Sequence, residues 1–160
     1  MNVLIAILIL LIYTITLIKI GGQVPPSLSD SVFNIPINKR WIWTVVLFAV
    51  CFLCVPTIID KASENTQFLA FLAIAGLAFV GAAPLVKFKD DALQFRVHEV
   101  GAIVCAVCSQ LVLAFNNAWL LLMWIPFIMF GCIVGFDMWR EKIFWGEMVC
   151  FSSTFLFCLI

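Results

Sequence analysis

The sequence predicts an all-α integral membrane protein, a six-helix up-and-down bundle with both termini extracytoplasmic. Three observations carry that reading. Of the 160 residues, 65% are hydrophobic and 11% charged, with a mean hydropathy of +1.19, whereas soluble domains carry roughly 25% charged residues. Six apolar stretches, residues 3–20, 41–59, 67–86, 98–115, 118–136 and 144–160, approach the roughly 20 residues a helix needs to cross a bilayer. The polar links between them are mostly short, which makes successive helices antiparallel neighbours. Unbroken apolar runs without period-two alternation exclude the strands of a membrane barrel. The length suits a single domain. A formal charge of zero gives no nucleic-acid partner; the expected partners are the lipid bilayer and, within it, another membrane protein or a second copy of this chain.

The first stretch has no basic residue ahead of it, no Ala-x-Ala-like cleavage pattern, and more apolar length than the roughly 7–15 residues of a signal-peptide core. It is expected to stay as the first transmembrane helix. Residues 21–40, GGQVPPSLSDSVFNIPINKR, form the longest run a bilayer would reject and are read as a cytoplasmic loop. Within it, Ser27 or Ser29 is expected to cap a short interfacial helix whose Val32, Phe33 and Ile35 dip into lipid. In the third helix, Ala78 and Ala82 beside Gly76 and Gly81 permit close backbone approach, as does Gly131-x-x-x-Gly135 in the fifth. The fourth apolar run is the shortest and spans only if His98 and Glu99 belong to its first turn. Pro56, Pro84 and Pro126 each free a carbonyl within or near the end of a helix.

Orientation follows from the cations. Lys19, Lys39, Arg40, Lys87, Lys89, Arg96, Arg140 and Lys142 fall on one side and only Lys61 on the other, and cationic loops stay cytoplasmic. The expected location is the cell inner membrane. Trp41, Trp43, Trp139 and Trp145 map to the same inner boundary, where an indole suits the headgroup level.

Candidate site residues cluster at that boundary. From His98, residues Gly101, Ala102, Cys105 and Ser109 follow at helical spacing and give the fourth helix a small, polar stripe that belongs in the bundle interior. Gln110 places an amide near mid-membrane, where it needs a partner on another helix. His98 is a candidate general base with Asp30 and Glu147 as carboxylate partners; Ser27, Ser29, Glu99 and Asp137 complete a tentative ligand-binding set with Ser109 and Gln110. The plainer reading makes His98 a solvated or capping residue and Asp90, Asp91 and Glu99 charges at the positive end of a helix dipole. Glu147 lies one turn inside the sixth helix and is expected to snorkel or to pair with Arg140, Lys142 or His98. Cys51-x-x-Cys54 and Cys105-x-x-Cys108 have metal-like spacing, but they sit inside apolar helices, where protonated thiols act as small hydrophobes. No metal site and no cofactor are expected.

The segments PPSLSDSVF and FLAFLAIAGLAFVGAAPLVKFKDDALQFRVHEVGAIVCAVCSQLVLAF resemble a group of small, multi-pass, uncharacterised membrane proteins encoded by gut Bacteroides-type bacteria and their phages. The likeness covers much of residues 25–115 and rests on Pro-Ser-x-Ser, Gly-Ala-Ala-Pro and a histidine opening the fourth helix. It implies a membrane fold and no activity. The placing of Ser, Asp and His near the cytoplasmic helix ends also resembles the membrane hydrolase superfamily of alkaline ceramidases and progestin-type receptors. That superfamily uses three zinc-binding histidines, and this sequence has only His98. The leading expectation is therefore a non-enzymatic component that binds a lipid, a small ligand or a membrane partner at the cytoplasm-facing polar cluster. The alternatives are a lipid hydrolase using His98 with nearby carboxylates, and a small transporter or ion pathway. The last has only Ser109, Gln110 and the 152–154 Ser-Ser-Thr run to work with at depth.

Overall fold

The computed structural model describes residues 1–83 and 92–160. Pro84, Lys87, Lys89, Asp90 and Asp91, named above, lie outside the described residues. Six α-helices are present among the described residues: α1 (Asn2–Gly21), α2 (Trp41–Lys61), α3 (Gln67–Ala82), α4 (Ala92–Asn116), α5 (Trp124–Val134) and α6 (Lys142–Leu159). Short 3-10 helices cover Ser29–Asn34, Ile37–Lys39 and Ala118–Met123, and there is no strand among the described residues. Among the described residues, four helical stretches are long and apolar enough to cross a membrane: Asn2–Gly21, Ile37–Lys61, Leu93–Asn116 and Lys142–Leu159. Gln67–Ala82 and Ala118–Val134 are apolar and shorter.

Local chemistry sets the ends. α1 stops where Gly22 takes φ +69°, a left-handed cap that costs glycine little. α4 takes in residues 92–97 ahead of the apolar run, where helix-favouring Ala-Leu-Gln precedes Arg96, His98 and Glu99. The fifth stretch divides into 3-10 and α parts. Pro126 has no N–H to give and its ring would crowd the carbonyl four residues back, so α-helix begins only at Trp124 and Pro126 falls within its first turn.

The tightest seam joins α3 to α4. A Cβ on Gly76 would stand 2.6 Å from the Gly101 carbonyl oxygen and 2.7 Å from the Cys105 nitrogen, and a Cβ on Gly101 would stand 2.9 Å from the Gly76 carbonyl oxygen. Two glycines thus meet backbone to backbone, and α4 turns its His98-Gly101-Cys105-Ser109 stripe inward while Val100, Ile103 and Val107 stay exposed. Gly131-x-x-x-Gly135 does not act as a packing motif. Gly135 ends α5 at φ +86°, and the space beside Gly131 is filled by the ring of Phe136 from its own chain turn.

The two ends of the bundle are tied by polar groups. At one end Asn116 accepts from the Ser63 N–H (2.9 Å) and donates to Thr66 Oγ1 (2.9 Å), joining the α2–α3 turn to the foot of α4. At the other, the last carbonyls of α3, which have no partner within the helix, are taken by side chains of neighbouring helices. Trp43 Nε1 donates to Val80 O (3.3 Å), Thr44 Oγ1 to Gly81 O (2.8 Å), and His98 Nδ1 to Ala83 O (2.7 Å).

Gly76→Ala is expected to destabilise the protein by about 1–3 kcal/mol, since its methyl meets backbone that cannot yield without parting α3 from α4. Gly146→Ala, whose methyl would find Phe127 at an ordinary 3.5 Å, is neutral or stabilising. Thermal unfolding of both variants in one detergent reads the contrast.

Candidate functional site

Within the polar island of residues 21–40, two of the three side chains expected to dip into lipid, Val32 and Ile35, lie inside the bundle. Leu28, Val32 and Ile35 are buried, Val32 completely, so the 3-10 helix Ser29–Asn34 packs its apolar side into the bundle rather than into lipid. A short 3-10 turn with Val32, Phe33 and Ile35 reads alike in both settings; which one holds depends on the helices behind it. Trp43 and Trp139 are likewise inside: Trp43 is 1% exposed and meets Tyr13 in a tilted pair at 5.9 Å between ring centroids, and Trp139 sits among Phe127, Phe130 and Phe136. Trp41 and Trp145 remain exposed.

Residues 23–35 are laced to α6 and α1. Pro26 O accepts from the Phe144 N–H (3.0 Å), one of the donors that the first turn of α6 cannot satisfy internally. In return Glu147 Oε2 accepts from the Leu28 N–H at 2.6 Å. Glu147 therefore engages a backbone amide rather than Arg140, Lys142 or His98; Arg140 reaches Gln23 (3.1 Å) and Lys142 reaches Phe136 O (2.8 Å). Asn34 Nδ2 donates to Leu17 O (3.4 Å).

Within this frame Ser27 Oγ donates to Asp30 Oδ2 (2.9 Å) and accepts from the Asp30 N–H (3.0 Å), a local turn of the kind serine and aspartate form readily. Ser31 Oγ donates to Leu28 O. Ser29 alone of these serines faces across to α4: its hydroxyl lies 2.8 Å from His98 Nε2. His98, 4% exposed, thus has one ring nitrogen on the end of α3 and the other on the loop. Its hydrogen-bonding partners are a carbonyl and a hydroxyl, with Asp30 and Glu147 each committed to the loop itself.

Below the loop lies a partly open pocket of about 410 Å³, walled by α2, α3, α4, α5 and α6 with Leu28 and Ser29 at one end. Its polar wall groups are Ser29, Lys142 and Glu147 at that end, with Ser109 and Thr154 further along α4 and α6; Trp43, Leu77, Cys105, Phe151 and Ile58 represent the rest. Gln110 is tied off nearby, its Oε1 accepting from Trp124 Nε1 (2.8 Å) and Ser153 Oγ (3.3 Å), its Nε2 donating to Ser109 Oγ (3.3 Å). Glu99 and Asp137 are exposed and take no part in the cavity wall. The seven cysteines are free thiols, and Cys54, Cys105 and Cys150 contribute to the wall. The structure thus brings Ser27, Ser29, Asp30, His98 and Glu147 together around residues 27–30 and leaves Glu99 and Asp137 apart. Lys142, expected from the sequence as a topology signal and a partner for Glu147, is instead a wall residue whose ammonium bonds Phe136 O.

Glu147→Ala leaves the Leu28 N–H without its partner, a loss of about 1.5–3 kcal/mol for a bond to a charged or strongly polar acceptor. Amide exchange over residues 27–31 is expected to accelerate about tenfold or more in that variant and less in Glu147→Gln, which keeps an acceptor oxygen; hydrogen-exchange mass spectrometry reads both. No protein-family model, no curated protein and no solved structure matches this chain.

Proposed function

We propose that this chain is a six-span protein of the cell inner membrane that takes one hydrocarbon chain of a lipid into its partly open pocket. In this reading the lipid's polar end rests at the mouth formed by Ser29, Lys142 and Glu147, on the cytoplasmic side, and both termini are extracytoplasmic.

The shape of the cavity carries the reading. Its wall on α2 runs from Trp43 to Ile58, about 22 Å at 1.5 Å per residue. A pocket of about 410 Å³ beside that length has room for one hydrocarbon chain. The mostly apolar walls and the more polar end match the two parts of a lipid.

The span count has its own support. Ala118–Val134 combines six 3-10 residues with eleven α-helical ones, and at about 2.0 and 1.5 Å per residue it extends about 28 Å, close to the ~30 Å hydrocarbon thickness. Leu8, Phe52, Phe71, Ile103 and Ile133 stand exposed around the bundle, an outer surface that suits lipid better than water. Lys19, Lys39, Arg40, Arg96, Arg140 and Lys142 belong to the end closed by residues 21–40 and Lys61 to the other, which favours the cytoplasmic side for the loop.

A lipid carrying a photoreactive group on its chain is expected to crosslink to wall residues such as Phe151, and washed protein is expected to retain about one chain per molecule. Ala106→Phe, which fills the middle of the cavity, lowers retention about tenfold, equivalent to ~1.4 kcal/mol. Undiminished retention in that variant, or none in the unaltered protein, sinks the proposal. A reporter fused after Ile160 reads extracytoplasmic; a cytoplasmic signal rejects the six-span arrangement.

A further inference from the structure

Resting on the alkyl-chain reading above, we propose that Ser29 is an acyl-accepting nucleophile with His98 as its general base, acting on the carboxylic ester of a membrane lipid. The argument begins with the protons on His98. Ala83 O can only accept, so Nδ1 at 2.7 Å carries the hydrogen. Nε2 is then the lone-pair nitrogen, and the Ser29 hydroxyl at 2.8 Å donates to it. This is the arrangement from which an imidazole removes a hydroxyl proton, with a third group fixing the ring. Here that third group is a backbone carbonyl at the C-terminal, negative end of α3, which favours the imidazolium that forms on proton transfer. Ser29 and His98 are 5% and 4% exposed, so bulk water does not compete for the hydroxyl.

Position supplies the substrate class. Ser29 is in the cavity wall, while Ser27 and Ser31 are not and spend their hydroxyls on Asp30 and Leu28 O. Ser29 lines the boundary between the mostly apolar pocket and its more polar end with Lys142 and Glu147. In a lipid ester the carbonyl occupies the same boundary, between chain and headgroup, so a seated chain delivers that carbonyl to Ser29.

In the first step Ser29 Oγ bonds to the carbonyl carbon while its proton moves to His98 Nε2. The tetrahedral intermediate collapses as the ester C–O bond breaks, and the departing alkoxide takes the proton from Nε2. The products are acyl-Ser29 and the free alcohol that bears the headgroup. In the second step water adds to the acyl carbon and gives a proton to Nε2. The bond to Oγ breaks, Oγ recovers the proton from Nε2, and the fatty acid is released.

The test uses the full chain in lipid nanodiscs with a long-chain alkyl fluorophosphonate, which traps an activated serine covalently. Peptide mass analysis is expected to place the adduct on Ser29, Ser29→Ala to lose it, and His98→Gln to slow its formation about a hundredfold, with melting curves of both variants confirming a folded protein. No adduct on Ser29 in the unaltered protein overturns the proposal without recourse to any variant, and so does a folded His98→Gln that labels at the unaltered rate. Lipid extracted from the same samples separates the two readings. A retained chain with no adduct overturns the nucleophile and leaves chain binding standing. An adduct that forms as fast with a methyl-chain probe, in protein that retains no lipid, overturns chain binding and with it the lipid-ester assignment.

Discussion

A histidine buried among hydrocarbon side chains has to bring both ring nitrogens to partners, and His98 meets that constraint by joining three elements at one point. α4 carries the ring, the final turn of α3 offers a carbonyl that its own helix cannot use, and residues 27–30 offer a hydroxyl. The polar island after α1 is held down as a consequence. Once Ser29 is fixed, Leu28 and Val32 fall into the bundle, the Leu28 N–H reaches Glu147 and Pro26 O reaches the start of α6. What would have been a solvated link becomes the roof of a cavity.

The two sides of α4 obey opposite packing rules. Toward α3 the helix approaches through Gly76 and Gly101 until backbones touch, the close contact that small residues permit where no hydrophobic drive draws helices together. Beyond that seam the pocket opens among Trp43, Leu47, Phe127 and Phe151, so tight packing on one side of α4 lies beside open volume on the other.

Much of the helical frame is legible in the sequence, since apolar run length is a direct record of a solvent in which every backbone group must be satisfied internally. The inward stripe of α4 and the interhelical role of Gln110 follow from the same period and polarity. Legibility fails where a residue type serves two settings equally well. Trp43 carries a polar handle that a headgroup can take, and so can Val80 O. Gly131 and Gly135 have dimerisation spacing, yet Gly135 is used for its positive φ, and that role shows only when the chain's next turn is known. Pro126 marks the break in the fifth segment but not that a 3-10 stretch precedes it. The pairing of His98 with Ser29 spans 69 residues and depends on the fold-back of a loop, information that no periodicity contains.

Around the mouth, polar groups divide by use. Ser27, Asp30, Ser31, Asn34 and Glu147 bond to the loop's own backbone, to one another or to α1, and their chemistry is consumed in holding the roof. Lys142 and Arg140 are spent on Phe136 O and Gln23. Ser29 differs in that its bond runs to a nitrogen lone pair rather than to a carbonyl or carboxyl oxygen, and its side chain borders open volume. If the hydroxyl were needed only as a tie, a longer polar residue donating to the same nitrogen from outside the cavity would serve as well and leave the wall apolar. Placing a small hydroxyl in the wall instead keeps it beside whatever fills the pocket, with its bond to His98 Nε2 held by the packed roof.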